Sequence, residues 1–247
     1  GAGREAPMET KLDMARPDAS AAPATASGRR TLVVDIGGNN VKFMLSGDDD
    51  RDKVPSGPDL RPDDMVAALR HRLGKRRFDR VAIGYPGAVK DNRPLLEPVN
   101  LGGGWTKFDF EAAFAAPVKL VNDAVMQALG SYDGGTMLYL GLGTGLGTAL
   151  VVDGVPVALE VAHLPYRKGM SFEDWVGRHG LERLGRKRWR KAVYDITERL
   201  RLAMVADYVV LGGGNATELK KLAPNCRLGD NRNALIGGFR LWDEHRG

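Results

Sequence analysis

The 247-residue chain contains a single cysteine, Cys226, and only four histidines. One thiol cannot close a disulfide within the chain, and it cannot supply the ligand pairs of a cysteine-based zinc site. Zinc is therefore not expected, and the cysteine usage suits a reducing cytoplasm. No apolar stretch approaches the ~18 residues that suggest a membrane-spanning helix, so no membrane partner is expected. Two nucleotide signatures are also missing. There is no phosphate loop ending in Gly-Lys-Ser/Thr. The richest glycine run, Gly141-Leu142-Gly143-Thr144-Gly145-Leu146-Gly147, departs from the G-x-G-x-x-G spacing. It also lies between two strand-like runs rather than ahead of a helix, so a nicotinamide cofactor is not expected.

The remaining composition is that of an ordinary globular protein. Hydrophobic residues make up 43% and charged residues 27%, enough for a sizeable core, which excludes a wholly disordered chain. The length fits one large domain or two small ones. Lys and Arg number 36 against 31 Asp and Glu, a net charge of +5. That balance suits an anionic ligand, and equally a plain basic surface.

Residues 1–28 are rich in Ala, Pro and Ser without an apolar period, and read as a disordered tail. The tail lacks the apolar core of a secretory signal. Order is expected from Thr31. Residues 31–36 read as a buried strand ending on Asp35, Gly37-Gly38-Asn39-Asn40 as a tight turn, and 41–45 as the returning strand. Residues 47–61 read as loop, followed by a helix capped by Asp63 with Met65, Leu69 and Leu73 on one face. Strands are expected at 80–83 and 118–121. The second carries Asn122 and Asp123 at its end, with a helix following to Tyr132. A second strand–glycine turn–strand unit spans 136–152, starting 105 residues after the first. Two similar half-domains are therefore suspected, divided as 29–121 and 122–247, with the last helix packing back on the first lobe. Later helices are expected over 172–184, around Trp189, Val193, Ile196 and Leu200, over 216–222 and over 233–242. A strand is expected at 207–211, running into Gly212-Gly213-Gly214.

Glycines let backbone N–H groups approach phosphate oxygens without an intervening Cβ. The turns at 37–40, 141–147 and 212–214 are candidates for that role, and each is also an ordinary tight turn. Asp123 ends a strand and opens a helix, where a carboxylate can serve as a base or simply cap the helix. Lys42 reads as a phosphate partner or as a solvated strand lysine.

In chain order, Asp35-x-Gly37-Gly38 with Lys42, Gly84-x-Pro86-Gly87, Asn122-Asp123-Ala124, Leu142-Gly143-Thr144-Gly145-Leu146-Gly147, Glu160-x-x-His163 and Gly212-Gly213-Gly214 resemble the motifs of the ROK-family sugar kinases. The similarity runs from about Thr31 to Trp242, and is nearest to the polyphosphate glucokinase branch, which, like this chain, lacks the zinc-binding cysteine cluster that follows the histidine in most ROK proteins. The resemblance implies an α/β, actin-like ATPase (ribonuclease H-like) fold of two lobes with the active site between them. It makes Asp123 the catalytic base. It places the sugar against Asn100, Asn122, Asp123, Glu160, His163 and Glu173. The phosphate donor falls to Asp35, Gly37, Gly38, Asn39, Asn40, Lys42, Gly143, Thr144, Gly145, Gly212, Gly213 and Gly214, with Asp35 orienting Mg²⁺ through water. Surface-pair and interior-histidine readings stay open for Glu160 and His163. Threonine is usual at position 39 and glycine at position 162, where this chain has Asn39 and Ala162.

Between Pro165 and Arg201 there are eleven cations and five anions. The Arg186–Lys191 cluster reads as a solvated helix face or as a track for a polyanionic donor. Trp189 among the arginines permits nucleic acid, which no recognised motif supports, so nucleic acid is not an expected partner. The expected function is phosphoryl transfer from polyphosphate or a nucleoside triphosphate to a hexose, foremost the 6-hydroxyl of glucose, in the cytoplasm. A homodimer is compatible with the sequence. The alternatives are a sugar- or nucleotide-binding protein of the same fold with impaired catalysis, or a kinase for another hexose or an amino sugar.

Overall fold

A computed structural model describes residues 28–243, and the tail expected at 1–28 falls, apart from its last residue, outside them. The chain order is β1 (Thr31–Ile36), β2 (Asn40–Leu45), β3 (Asp52–Pro55), α1 (Pro62–Leu73), β4 (Arg80–Tyr85), β5 (Val89–Lys90), β6 (Arg93–Pro94), α2 (Phe110–Phe114), β7 (Val118–Asn122) and α3 (Asp123–Ser131). The second half runs β8 (Thr136–Leu142), β9 (Leu146–Val152), β10 (Val155–Leu159), β11 (Pro165–Arg167), β12 (Met170–Ser171), α4 (Phe172–Val176), α5 (Arg178–Ala203), β13 (Tyr208–Gly212), β14 (Cys226–Leu228) and α6 (Asn233–Arg240).

Two five-stranded sheets share one design. The first has the order β3-β2-β1-β4-β7 and the second β10-β9-β8-β13-β14. In each, the three consecutive strands pair antiparallel as a meander, and the next two add in parallel. The central strands β1, β4, β8 and β13 are apolar runs buried on both faces, as helix-covered strands must be. Leu32, Val34, Val81 and Ile83 face α1, whereas Val33 and Ala82 face α6. On the second sheet Leu138 and Leu140 face α5, and Met137 and Tyr139 face α3. The carboxyl ends of β1, β7, β8 and β13 carry Asp35, Asn122–Asp123 and the glycine turns, which is where ligands bind in open α/β sheets.

Several elements differ from the sequence expectation, each for a local reason. Residues 47–61 are not all loop: β3 adds an edge strand held by one buried side chain, Val54, too little to show an alternation. Asp63 does not cap α1. Pro62 starts the helix, and Asp63 and Asp64 lie in its first turn, where carboxylates meet the positive end of the helix dipole. The helix expected over 172–184 breaks at Gly177, an N-cap whose added Cβ would lie 2.9 Å from the Glu173 carbonyl and 3.0 Å from the Thr144 carbonyl. A second departure from helical geometry follows at Gly185, with φ of 74°. The element at 216–222 is a single 3₁₀ turn, Gly214–Glu218. The last helix ends at Arg240, and the Trp242 indole turns back to donate to the Val81 carbonyl at 3.1 Å.

Helices α3 and α6 cross so closely that only glycine fits the contact. A Cβ at Gly130 would lie 1.6 Å from the Asn233 carbonyl oxygen, and one at Gly237 1.8 Å from that of Met126. On the far side, Gly238 sits against Val33 of β1. The α3–α6 pair thus joins the two sheets directly behind Asp123.

Candidate active site

Asp35 and Lys42 are register partners across the β1–β2 hairpin, so the ammonium lies opposite the carboxylate. Loss of hydration pushes the Asp35 carboxyl up, while Lys42 and Arg51 oppose that shift. Arg51 escaped the sequence reading because it lies in the stretch taken as loop. The following turn is closed by the Gly37 N–H on the Asn40 carbonyl at 3.0 Å, and Ser56 braces it by donating to the Gly37 carbonyl at 2.6 Å.

Asp123 lies at the start of α3. The Ala124 N–H approaches both the Asn122 Oδ1 at 2.9 Å and the Asp123 Oδ1 at 2.8 Å. The Asn122 amide also donates to the Gly87 carbonyl at 2.7 Å. Asn122 is therefore engaged at both ends of its amide, as the cap of α3 and as a tie to the Gly84–Gly87 turn. Desolvation, and after it the Asp35 charge, pushes the Asp123 carboxyl up to about 7, with a smaller push from Glu160. A carboxyl that is desolvated, set beside the Asp35 charge and thereby poised near neutrality has the electrostatics of a proton acceptor.

The donor-side turns come from the second sheet. The Gly143 N–H is held by the Gly145 carbonyl at 3.2 Å, and the Asn215 amide donates to the Gly143 carbonyl at 3.3 Å. The Gly37 and Gly143 N–H groups are thus occupied within their own turns. Those of Gly38, Asn39, Thr144 and Gly145 form no hydrogen bond with a described residue and can receive an anion. Asn39 and Thr144 are solvent-exposed, and Asn40 opens β2. At the third turn the glycines serve different ends. A Cβ on Gly213 would lie 2.3 Å from the Leu142 carbonyl and one on Gly212 2.3 Å from the Tyr139 hydroxyl, whereas Gly214 faces open space.

The expected sugar residues fall into two groups. Asn100 is exposed at the Gly38 turn, where a Cβ on Gly38 would lie 3.7 Å from its Cβ. Its loop is fixed by Glu97, which accepts from the Trp105 N–H at 3.0 Å and the Thr106 N–H at 3.1 Å, and by Tyr85, which donates to the Leu96 carbonyl at 2.7 Å. Glu160 and His163 are an exposed pair, 3.8 Å apart. Glu173 instead accepts the Leu146 N–H at 2.9 Å, with one oxygen 2.5 Å from where a Gly145 Cβ would stand, so it props the 143–147 turn. Phe172 N–H to the Leu164 carbonyl, at 3.0 Å, ties α4 to the segment after His163. Among the described residues, no three His, Cys, Asp or Glu side chains converge on one metal position.

Part of the basic cluster is structural. Arg186 pairs with the Glu218 carboxylate at 2.8 Å, and Arg190 donates to the Glu218 carbonyl at 2.5 Å. Lys187, Arg188 and Lys191 are exposed and make no ion pair with a described residue.

A model of the ROK family matches residues 31–158. No curated protein sequence matches the chain. Three solved structures illustrate the likeness of fold. The inorganic polyphosphate/ATP-glucomannokinase of Arthrobacter sp. strain KM is 23% identical, with a TM-score of 0.70, over 86% of this chain and 97% of that one. A ROK family glucokinase of Streptomyces griseus, in complex with glucose and AMPPNP, is 17% identical, with a TM-score of 0.66, over 86% and 98%. A ROK family protein of Streptococcus pneumoniae, in complex with sucrose, is 17% identical, with a TM-score of 0.69, over 86% and 97%. The shared architecture is the mixed α/β, actin-like ATPase fold.

Proposed function

Because the chain belongs to the ROK family, a family of sugar kinases, we propose that it transfers a phosphoryl group from polyphosphate or ATP to a hexose, foremost to the 6-hydroxyl of glucose. The observation that carries this reading is the Asp123 carboxyl, raised to about 7 beside Asp35 at the ends of the β-strands and the glycine turns. A sugar hydroxyl is a weak nucleophile and needs a base within hydrogen-bond reach. Asp123 takes the hydroxyl proton while that oxygen forms its bond to the terminal phosphorus. The bond from phosphorus to the leaving phosphate oxygen breaks, and its electron pair leaves with the shortened donor. Most of the remaining work in phosphoryl transfer is positioning and charge neutralisation. The N–H groups of Gly38, Asn39, Thr144 and Gly145 and the Lys42 ammonium supply it on the donor side. Asn100, Glu160 and His163 are the proposed sugar contacts. Asn122 and Glu173 act by holding Asp123 and the 143–147 turn in place.

Mg²⁺ keeps several waters and is commonly held by one or two carboxylates together with substrate phosphates. The site fits that habit: Asp35 offers one carboxyl at a strand end, and no all-protein cage of three ligands is present among the described residues. Asp35 would hold the hydrated ion, which neutralises phosphate charge when bound.

The test is a panel crossing glucose, mannose and amino sugars with ATP and polyphosphate, followed by phosphorylated-sugar detection. The reading expects one hexose to be phosphorylated well above the rest with at least one donor. Sugar binding without phosphorylation by either donor would favour a binding protein of the same fold.

A further inference from the structure

Tyr139 lies on the α3 face of β8, packed with Ala124, Ala128, Met137, Ala149 and Val210. Only 2% of the residue is exposed. Its ring runs along the strand toward Gly141 and Gly212, which are register partners at the ends of β8 and β13. An ideal Cβ at Gly212 would lie 2.3 Å from the Tyr139 hydroxyl, and one at Gly141 3.4 Å from it. Two side chains are therefore missing at the point where this hydroxyl emerges. It emerges between the roots of the 143–145 and 212–214 turns.

The hydroxyl is unpartnered. Phenols this deep normally find a hydrogen-bond partner, yet the Tyr139 hydroxyl makes no hydrogen bond to a described residue. The polar side-chain atoms that are both sealed and unpartnered among the described residues are Trp105 Nε1 and Thr197 Oγ1. The Tyr139 oxygen is not one of them, so it touches solvent at the strand ends. Burial, with the Asp123 and Asp35 charges, pushes its ionisation far up, so it remains a neutral O–H. Lone pairs on a carboxylate attract an O–H, but neither Asp123 nor Asp35 is within hydrogen-bond reach of it.

We propose that the Tyr139 hydroxyl donates a hydrogen bond to a terminal phosphoryl oxygen of the phosphate donor, an inference that rests on the sugar-kinase reading. An anion entering between two carboxylates is repelled by both. A neutral O–H aimed at it from the strand ends offsets that repulsion without adding a charge. The absence of a Cβ at Gly212 then has a specific use. It clears the way for the tyrosine that touches phosphate rather than for phosphate itself.

Tyr139→Phe removes the hydroxyl and keeps the ring. Titration calorimetry with tripolyphosphate and with a non-hydrolysable ATP analogue, thermal melting, and steady-state kinetics over pH are measured on parent and variant. The expected result is parent-like melting and sugar KM, with donor affinity and donor kcat/KM lowered about 10–100-fold, the scale of a hydrogen bond to a charged group. The acid limb of the pH profile stays in place. Unchanged donor affinity and kcat overturn the proposal. A moved acid limb with unchanged tripolyphosphate affinity assigns the hydroxyl to Asp123 instead and overturns it too, as does a parent that binds neither anion. If Tyr139→Phe melts lower, Tyr139→His separates packing from donation: donation predicts higher donor affinity than the Phe variant, packing alone predicts lower. A parent that binds the anions yet phosphorylates no sugar removes the kinase reading, while the titrations still decide the role of Tyr139.

Discussion

Asp123 shows how one residue can be legible in type and still depend on the fold for its chemistry. Its place at the end of a strand before a helix can be read from Val118 to Ala124. Its proton affinity cannot, because that comes from Asp35, 88 positions away, and from the surrounding protein. A base works only when ionised. With a folded-state value of about 7, kcat/KM is expected to fall tenfold per pH unit below that point. An acid limb near 4, the ordinary carboxylate range, would contradict the coupling. The same shift has a stability consequence. In the unfolded chain the carboxyl ionises from about 3.9 upward, whereas in the folded chain it stays protonated to about 7. Folding is therefore favoured below the lower value, and that contribution is lost as pH rises through the upper one. Asp123→Asn keeps the acceptor for the Ala124 N–H and removes the charge. It is expected to exceed the parent in stability by about 1–4 kcal/mol at pH 8, with the difference vanishing toward pH 4, in paired urea denaturations. Tyr139, Ser56 and Asn215 were not legible, because each acts on a turn brought near it by strand pairing rather than by local sequence.

At the scale of elements, glycine spacing marks contacts as well as turns. Gly130 and Gly237 lie inside helices, where glycine is intrinsically unfavourable. In the fold they let α3 and α6 touch backbone to backbone behind Asp123. Gly237→Ala would drive a methyl to 1.8 Å from the Met126 carbonyl oxygen, and a loss of at least about 2–3 kcal/mol in urea denaturation is expected. Gly103→Ala, with nothing within 4 Å of its added Cβ, is the control and should change stability by less than about 0.5 kcal/mol. Equal effects from the two would mean that the helices can separate without cost. A glycine such as Gly177 lowers helix propensity without by itself fixing a break. Its purpose needs the tertiary structure: the Arg178 N–H donates to the Thr144 carbonyl at 3.1 Å, seating the donor turn on α5. The edge strands β10 and β14 left no readable signal, since neither shows a clear buried–exposed alternation.

For the molecule as a whole, the repeated strand–glycine turn–strand unit pointed to two related halves, and the two sheets have matching strand order. The basic stretch was legible as charge but not as surface. Arg186 and Arg190 hold Glu218, which leaves Lys187, Arg188 and Lys191 as the exposed cations able to meet a long anion. Lys187→Ala with Lys191→Ala is expected to raise KM for long-chain polyphosphate several-fold and leave KM for ATP unchanged. Added salt should reproduce that difference, since such contacts are screened over about 8 Å at physiological ionic strength. Equal use of both donors by parent and variant would make the cluster a solvated face. The central claim, that Asp123 accepts the proton of a sugar hydroxyl during phosphoryl transfer, is tested most directly by single-turnover sugar phosphorylation in the parent and Asp123→Asn, at sugar concentrations saturating both by calorimetry. The account predicts retained sugar binding and a rate lowered about 10²–10⁴-fold; a variant that binds sugar and phosphorylates it at the parent's rate would contradict it.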